Sequence, residues 1–147
     1  MKLNTKMRYG SRAMVELDLY YEQGPISLRE IAERQGISEK YLESLLGILR
    51  SAGLVQAVRG PQGGYLLARP PEQITLRELF EILEGREAYA PCTLDHSACQ
   101  RWAACPTQEV WAKMYEASMQ VLESATLADL AARNLEQRSI AAGTYEI

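Results

Sequence analysis

The chain has 147 residues, 47% of them apolar and 24% charged, which excludes a disordered or low-complexity chain and fits one domain, or one domain with an appendage. No apolar run approaches the roughly 18–20 residues of a membrane helix, and the opening "MKLNTKMRYGSR" lacks the apolar core of a signal peptide, so the expected setting is the cytoplasm with no membrane partner. The net charge of −3 divides unevenly, with ten Lys/Arg against seven Asp/Glu in residues 1–69 and six against twelve in residues 70–147, a basic half and an acidic half.

The first apolar-periodic segment runs from about Thr5 to Glu22, with Ala13, Met14, Leu17 and Tyr21 on one helical face, and Gln23–Pro25 ends it. Lys2, Lys6, Arg8 and Arg12 crowd its start with no acid among them. The helix dipole disfavours cations there, a conflict that a bound polyanion or simple solvation would relieve. Ser27 and Glu30 form a Ser-x-x-Glu capping box for a second helix, stapled by Ile26 and Ile31 and broken at Gly36. Ser38 can cap a third helix reaching about Ala52, its buried stripe formed by Leu42, Leu45, Leu46 and Leu49. After Gly53, "LVQAV" and "YLLA" predict two short strands joined by "RGPQGG", a Gly/Pro-rich exposed turn. Thr75 and Glu78 predict another capped helix, stapled by Ile74 and Leu79 and ending at Gly85. Beyond Pro106 a long helix presents Val110, Trp111, Met114, Ala117, Ser118, Val121, Leu122 and Ala125 on one wide stripe, which suits either a core face or a partner helix. A last helical piece, "LADLAARNL", leads into an unpatterned tail.

Helix, glycine turn, helix and two-stranded hairpin is the order of a winged helix. The expected fold is therefore mainly α with a small β wing: a winged helix-turn-helix over residues 1–70, and a cysteine loop with a long dimerisation helix over residues 71–147. Ala32 is small where two helices cross, and Gly36 permits the turn. The outer face of the third helix would enter a major groove of double-stranded DNA through Ser38, Lys40, Tyr41, Glu43 and Ser44. Arg59 at the wing tip could enter a minor groove. Winged helices also serve as protein-docking modules, so the pattern alone leaves both uses open.

Cys92, Cys99, Cys105 and the single histidine, His96, all fall in "APCTLDHSACQRWAACPTQ". Three cysteines do not pair off into disulfides, and thiolates are the preferred ligands of iron–sulfur clusters. The Cys-x6-Cys-x5-Cys spacing is looser than that of structural zinc sites, and three unligated thiols remain the alternative. His96 lies between the first two cysteines and could supply a fourth ligand, as imidazole does in some two-iron clusters. Asp95, a carboxylate from a second subunit or an exogenous group are rivals. No Ser/His/Asp set, phosphate loop or dinucleotide fingerprint points to an enzyme.

The stretch "LREIAERQGISEKYLESLLGILRSAGLVQAVRGPQGGYLLAR" resembles the winged helix of the IscR/NsrR family of bacterial regulators, as do "MKLNTKMRYGSRAM" and a cysteine loop followed by a long helix with Trp111. The resemblance spans about residues 1–135. It implies a homodimer that joins through crossed long helices, binds a two-fold symmetric operator, and uses an iron–sulfur cluster to sense cluster supply, redox state or nitric oxide. DNA contacts carry over to Tyr41, Glu43 and Arg59. Cys92, Cys99 and Cys105 occupy the place of the family's cluster ligands, and a 2Fe-2S cluster is expected ahead of a 4Fe-4S one. Two positions depart from the family. Gln108 stands where IscR-type proteins carry a histidine, and the N-terminal stretch that supplies an acid in NsrR-type proteins has Arg8 and no acid before Glu16. Some members lack a cluster and act through a docked metabolic enzyme, which is the alternative function.

Overall fold

The side chain of Asn4 accepts the Met7 amide at 3.2 Å and starts α1, Thr5–Leu19; the computed structural model describes residues 1–144. The helix ends short of the expected Glu22. The amides of Tyr21 and Gln23 turn back to the carbonyls of Asp18 and Tyr20, 2.9 Å each, before Gly24–Pro25 is reached. Ala13, Met14 and Leu17 are buried as the stripe requires, whereas Tyr21 lies past the helix end and is exposed.

Helix α2 spans Leu28–Gln35 and α3 spans Glu39–Ser51. Ser27 and Ser38 cap them by accepting the amides of Glu30 and Tyr41 at 3.2 Å, each cap contributing on the order of 1 kcal/mol. The return half of the first capping box is not made, because the Glu30 carboxylate binds Arg34 instead. Gly36 ends α2 in the left-handed region at φ 65, where a side chain would be strained. All four leucines of the α3 stripe are fully buried, and Ala32 is buried where α2 crosses α3.

The wing is β1, Val55–Val58, antiparallel to β2, Gly64–Leu67, with Val55 opposite Leu67 and Val58 opposite Gly64. Tyr65 exchanges both backbone hydrogen bonds with Ile26 at 2.8 and 2.9 Å, so the hairpin is fastened to the entry of α2. Gly64 makes this approach possible, since a Cβ there would lie 2.1 Å from the Ile26 carbonyl oxygen.

Helix α4, Leu76–Leu83, is capped by Thr75, and the Glu78 carboxylate takes both terminal nitrogens of Arg69 at 2.7 and 2.8 Å, tying the helix to the end of the wing. Three short 3-10 turns, Pro91–Thr93, His96–Ala98 and Trp102–Ala104, carry the cysteine loop to α5, Gln108–Glu123. Helix α6 follows over Leu127–Thr144. Here the structure corrects the expectation of a short piece and an unpatterned tail: α6 is the longest helix among the described residues. Its second half holds Glu136, Gln137, Arg138, Ala141 and Ala142, all good helix formers, and no proline, so it propagates past the weaker Ser139 without needing a continuous apolar stripe. Residues 145–147 of that expected tail lie outside the described residues. A reciprocal cap also starts α6, with Asp129 Oδ2 accepting the Thr126 amide at 3.0 Å and Thr126 Oγ1 accepting the Asp129 amide at 3.2 Å. Its corner docks on the start of α4 through Leu76 N–H to Ala125 O and Leu127 N–H to Ile74 O, 2.9 Å each. From there α6 packs back along α1, so a single core runs from Met7 through the α3 leucines and Phe80 to Met119 and Leu127.

Candidate nucleic-acid interface and cysteine loop

The α3 surface opposite the leucine stripe is open. Ser38, Lys40, Glu43 and Ser44 are exposed, as is Arg59 beyond β1. The Ser38 hydroxyl accepts from Tyr41 N–H, which leaves its own O–H free to donate outward. Tyr41 is half-buried, and its ring stands nearly perpendicular to that of Tyr9 of α1, centroids 6.2 Å apart at 87°. The Arg12 guanidinium lies 5.3 Å from the Tyr9 ring centroid on the same helix. Tyr41 is therefore positioned by α1. The wing turn is held by Gly63 N–H to Gly60 O, 2.9 Å, which displays Arg59 away from the core.

Lys2, Lys6 and Arg8 are exposed at the start of α1, whose first turn holds no acid. The sequence reading missed one compensation: Glu84, from the end of α4, accepts the Asn4 amide at 3.0 Å and brings a carboxylate to this helix end. It also missed Glu16, a carboxylate only 2% exposed, which accepts from Arg34 at 2.8 Å and Gln35 at 3.1 Å and lies 3.7 Å from Arg138. That one group joins α1 to α2 and α6. A charged residue between Val15 and Leu17 on α1 was the available signal.

In the cysteine loop, Cys92, Cys99 and Cys105 are all free thiols and all half-buried. Cys105 lies just before α5, 3.3 Å from the Thr107 hydroxyl. Hydrogen bonding from that hydroxyl, and then from the amides of Thr107 and Gln108, holds its thiol below the usual range and favours the thiolate. His96 is stacked on Trp102, ring centroids 3.8 Å apart and 19° from parallel. Asp95 accepts the Ser97 amide at 2.9 Å and the Ser97 hydroxyl at 2.6 Å, bonds that keep its carboxyl below the ordinary carboxylate range. Gln108 opens α5. Among the described residues no three His, Cys, Asp or Glu side chains converge closely enough to hold a metal ion. The donor set nonetheless fits an iron–sulfur cluster chemically: three unoxidised soft thiols in one loop, one of them biased to thiolate. Binding would draw the loop together around it.

The loop is braced at its start. Tyr89 and Ser118 of α5 hydrogen-bond at 2.9 Å, and the N-terminal ammonium donates to Ala88 O at 3.2 Å. Beyond that brace α5 stands out from the core. Val110, Trp111, Met114 and Val121 are exposed, and Met119 is its one buried residue. No helix of the described residues is long and apolar enough to cross a membrane.

Comparison with known proteins places this architecture. The sequence pattern of the family Rrf2, described as "Iron-dependent Transcriptional regulator", matches residues 3–133. The Rrf2 protein of Nitratidesulfovibrio vulgaris is 40% identical over 130 residues, covering 88% of this chain and 87% of that protein. The solved structure of CymR, the global cysteine regulator of Bacillus subtilis, superposes with a TM-score of 0.76 at 39% identity, covering 90% of this chain and 98% of that one. That of T. potens IscR superposes with a TM-score of 0.74 at 42% identity, covering 91% and 88%. The winged helix expected from the sequence is thus the fold of these regulators, and the chain belongs to the Rrf2 family of DNA-binding transcriptional regulators.

Proposed function

We propose that this protein is a homodimeric regulator that reads a two-fold symmetric operator and adjusts its grip through an iron–sulfur cluster held by Cys92, Cys99 and Cys105. The observation that carries this reading is the gathering of every thiol of the chain into one loop that runs directly into an exposed apolar helix. When bound, such a cluster supplies a charge and a set of bonds that change with redox state, nitric oxide or iron supply. The chain's own groups do the rest. Thr107 and the Gln108 amide keep Cys105 ready to ligate, and Tyr89 ties the loop to α5 through Ser118. Exposed Val110, Trp111, Met114 and Val121 pair α5 with that of a second copy. Two recognition helices then face DNA, with Ser38, Lys40, Tyr41, Glu43 and Ser44 toward the major groove and Arg59 toward a minor groove. The fourth ligand is His96, released from its stack on Trp102. A 2Fe-2S cluster suits that mixed thiolate and imidazole set.

The experiment is anaerobic purification followed by absorption and Mössbauer spectra, with DNA binding measured for the loaded and stripped forms. A brown protein whose DNA affinity changes on stripping supports the reading. A second reading, a cluster-free regulator that docks on a metabolic enzyme, draws on the separated thiols and the likeness to CymR. It predicts a colourless protein whose DNA affinity is indifferent to iron.

A further inference from the structure

Between α1, the end of α2 and α6 lies an open cleft of about 540 Å³, the size of a metabolite site. None of its lining residues belongs to the cysteine loop or to the DNA-facing surface of α3. Val15 and Leu130 give it apolar walls. Its one carboxylate, Glu16, is already engaged by Arg34 and Gln35. Two further guanidiniums line it with no ion pair among the described residues, although the Asp129 carboxylate one turn back on α6 lies near enough to Arg133 to feel its charge. Arg12 donates to the side-chain and backbone oxygens of Gln35 at 2.9 and 3.1 Å, and Arg133 makes no ion pair among the described residues. Positive charge is thus in excess here, although the region beyond residue 70 is acidic. Asn134 also lines the cleft, and its side-chain Oδ1 is buried with no hydrogen-bond partner. A buried acceptor without a partner is costly and uncommon.

We propose that this cleft is an effector site for a small organic carboxylate that carries a branched apolar body and a hydrogen-bond donor next to its acid group. The carboxylate pairs with Arg133, whose planar fork matches its two oxygens, and with the Arg12 Nη1 that Gln35 leaves free. The body covers Val15 and Leu130, and the donor satisfies Asn134. Inorganic phosphate would meet the cations but leave the apolar walls uncovered. The cleft is walled by the first helix of the helix-turn-helix on one side and by α6 on the other. A ligand seated there ties the C-terminal helix to the DNA-reading unit.

The test uses the full chain, as wild type and with Cys92, Cys99 and Cys105 all changed to alanine, so that loss of the cluster reading does not touch the outcome. Binding is measured by calorimetry and saturation-transfer NMR with three probes: 2-hydroxy-4-methylpentanoate, 4-methylpentanoate and inorganic phosphate. The hydroxy acid should bind saturably, once per chain, in both proteins, and about tenfold or more tighter than phosphate. Arg133→Gln, at an exposed position with no ion pair to lose, should weaken it about tenfold, and Asn134→Leu should erase its advantage over 4-methylpentanoate. No saturable binding of the hydroxy acid up to about 10 mM overturns the proposal, as does phosphate binding equally well or Arg133→Gln leaving affinity unchanged.

Discussion

On α3, Leu42, Leu45, Leu46 and Leu49 are at most 1% exposed, whereas on α5 Val110, Trp111, Met114 and Val121 remain 36–68% exposed. Both helices carry an apolar stripe, and only the first is consumed within its own chain. The winged helix is also locally well defined: each of its helices has a side-chain cap, and the wing is hydrogen-bonded to the entry of α2. The cysteine loop has no buried residue in any of its three short turns, and α5 has no side-chain cap. One region buries its apolar stripe within the shared core, and the other leaves most of its stripe uncovered.

The largest effects should fall on the half with the buried stripe. Leu46→Ala removes a fully buried side chain at the centre of the core and should cost about 2–5 kcal/mol of unfolding free energy, whereas Cys99→Ala in the stripped protein should leave the denaturation midpoint nearly unchanged. Similar losses from both would erase the contrast. On the other half, Val121→Asp should leave the monomer folded, because Val121 is 68% exposed. It should weaken self-association by about 3 kcal/mol or more, because a two-fold pair buries Val121 once from each chain at about 1.5–3 kcal/mol apiece, read by sedimentation equilibrium. An unaltered dimer would move the interface off this stripe. Arg59→Ala should weaken DNA binding by about 1–3 kcal/mol at moderate salt without changing thermal stability, since Arg59 lies outside the core.

The smallest expected effect concerns Asp18, near the end of α1. Burial, and then the negative charge of Glu72, push its carboxyl up from 3.8 to about 6, and its Oδ2 is buried without a partner. Its pKa is higher folded than unfolded, so between these values the folded state holds the extra proton. Stability therefore falls as pH rises through that window and stays lowered above it. Asp18→Asn should stabilise the protein at pH 7 by about 1 kcal/mol, a figure discounted for partial exposure, and the gain should vanish below about pH 4 in pH-dependent thermal melts.

The winged helix was legible because its signals are local. Ser27, Ser38 and Thr75 announce helix starts, Gly36 a left-handed stop, and "RGPQGG" the wing turn, and all act where the sequence places them. Long-range pairings were not legible. Nothing in the spacing of Glu16 names Arg34 and Gln35 as partners. Nor does any pattern set Glu84 on the Asn4 amide, or stack His96 on Trp102 instead of turning it toward the thiols. The length of α6 was missed because the expectation weighed apolar periodicity, whereas residues 136–144 continue the helix on propensity. Its cap was overlooked because Asp129 stands where a capping box usually has Glu or Gln.

The central claim is that the half with the uncovered stripe holds a cluster on Cys92, Cys99 and Cys105. The most direct measurement is iron and acid-labile sulfide per chain in anaerobically prepared protein, for the wild type and for each of Cys92→Ala, Cys99→Ala and Cys105→Ala. The account predicts iron and sulfide in equal amounts in the wild type, with about two of each per chain for a two-iron cluster, and their loss in every single variant while the circular dichroism of the winged helix is preserved. A wild type without sulfide, or a full iron and sulfide content in any one of the three variants, would contradict it.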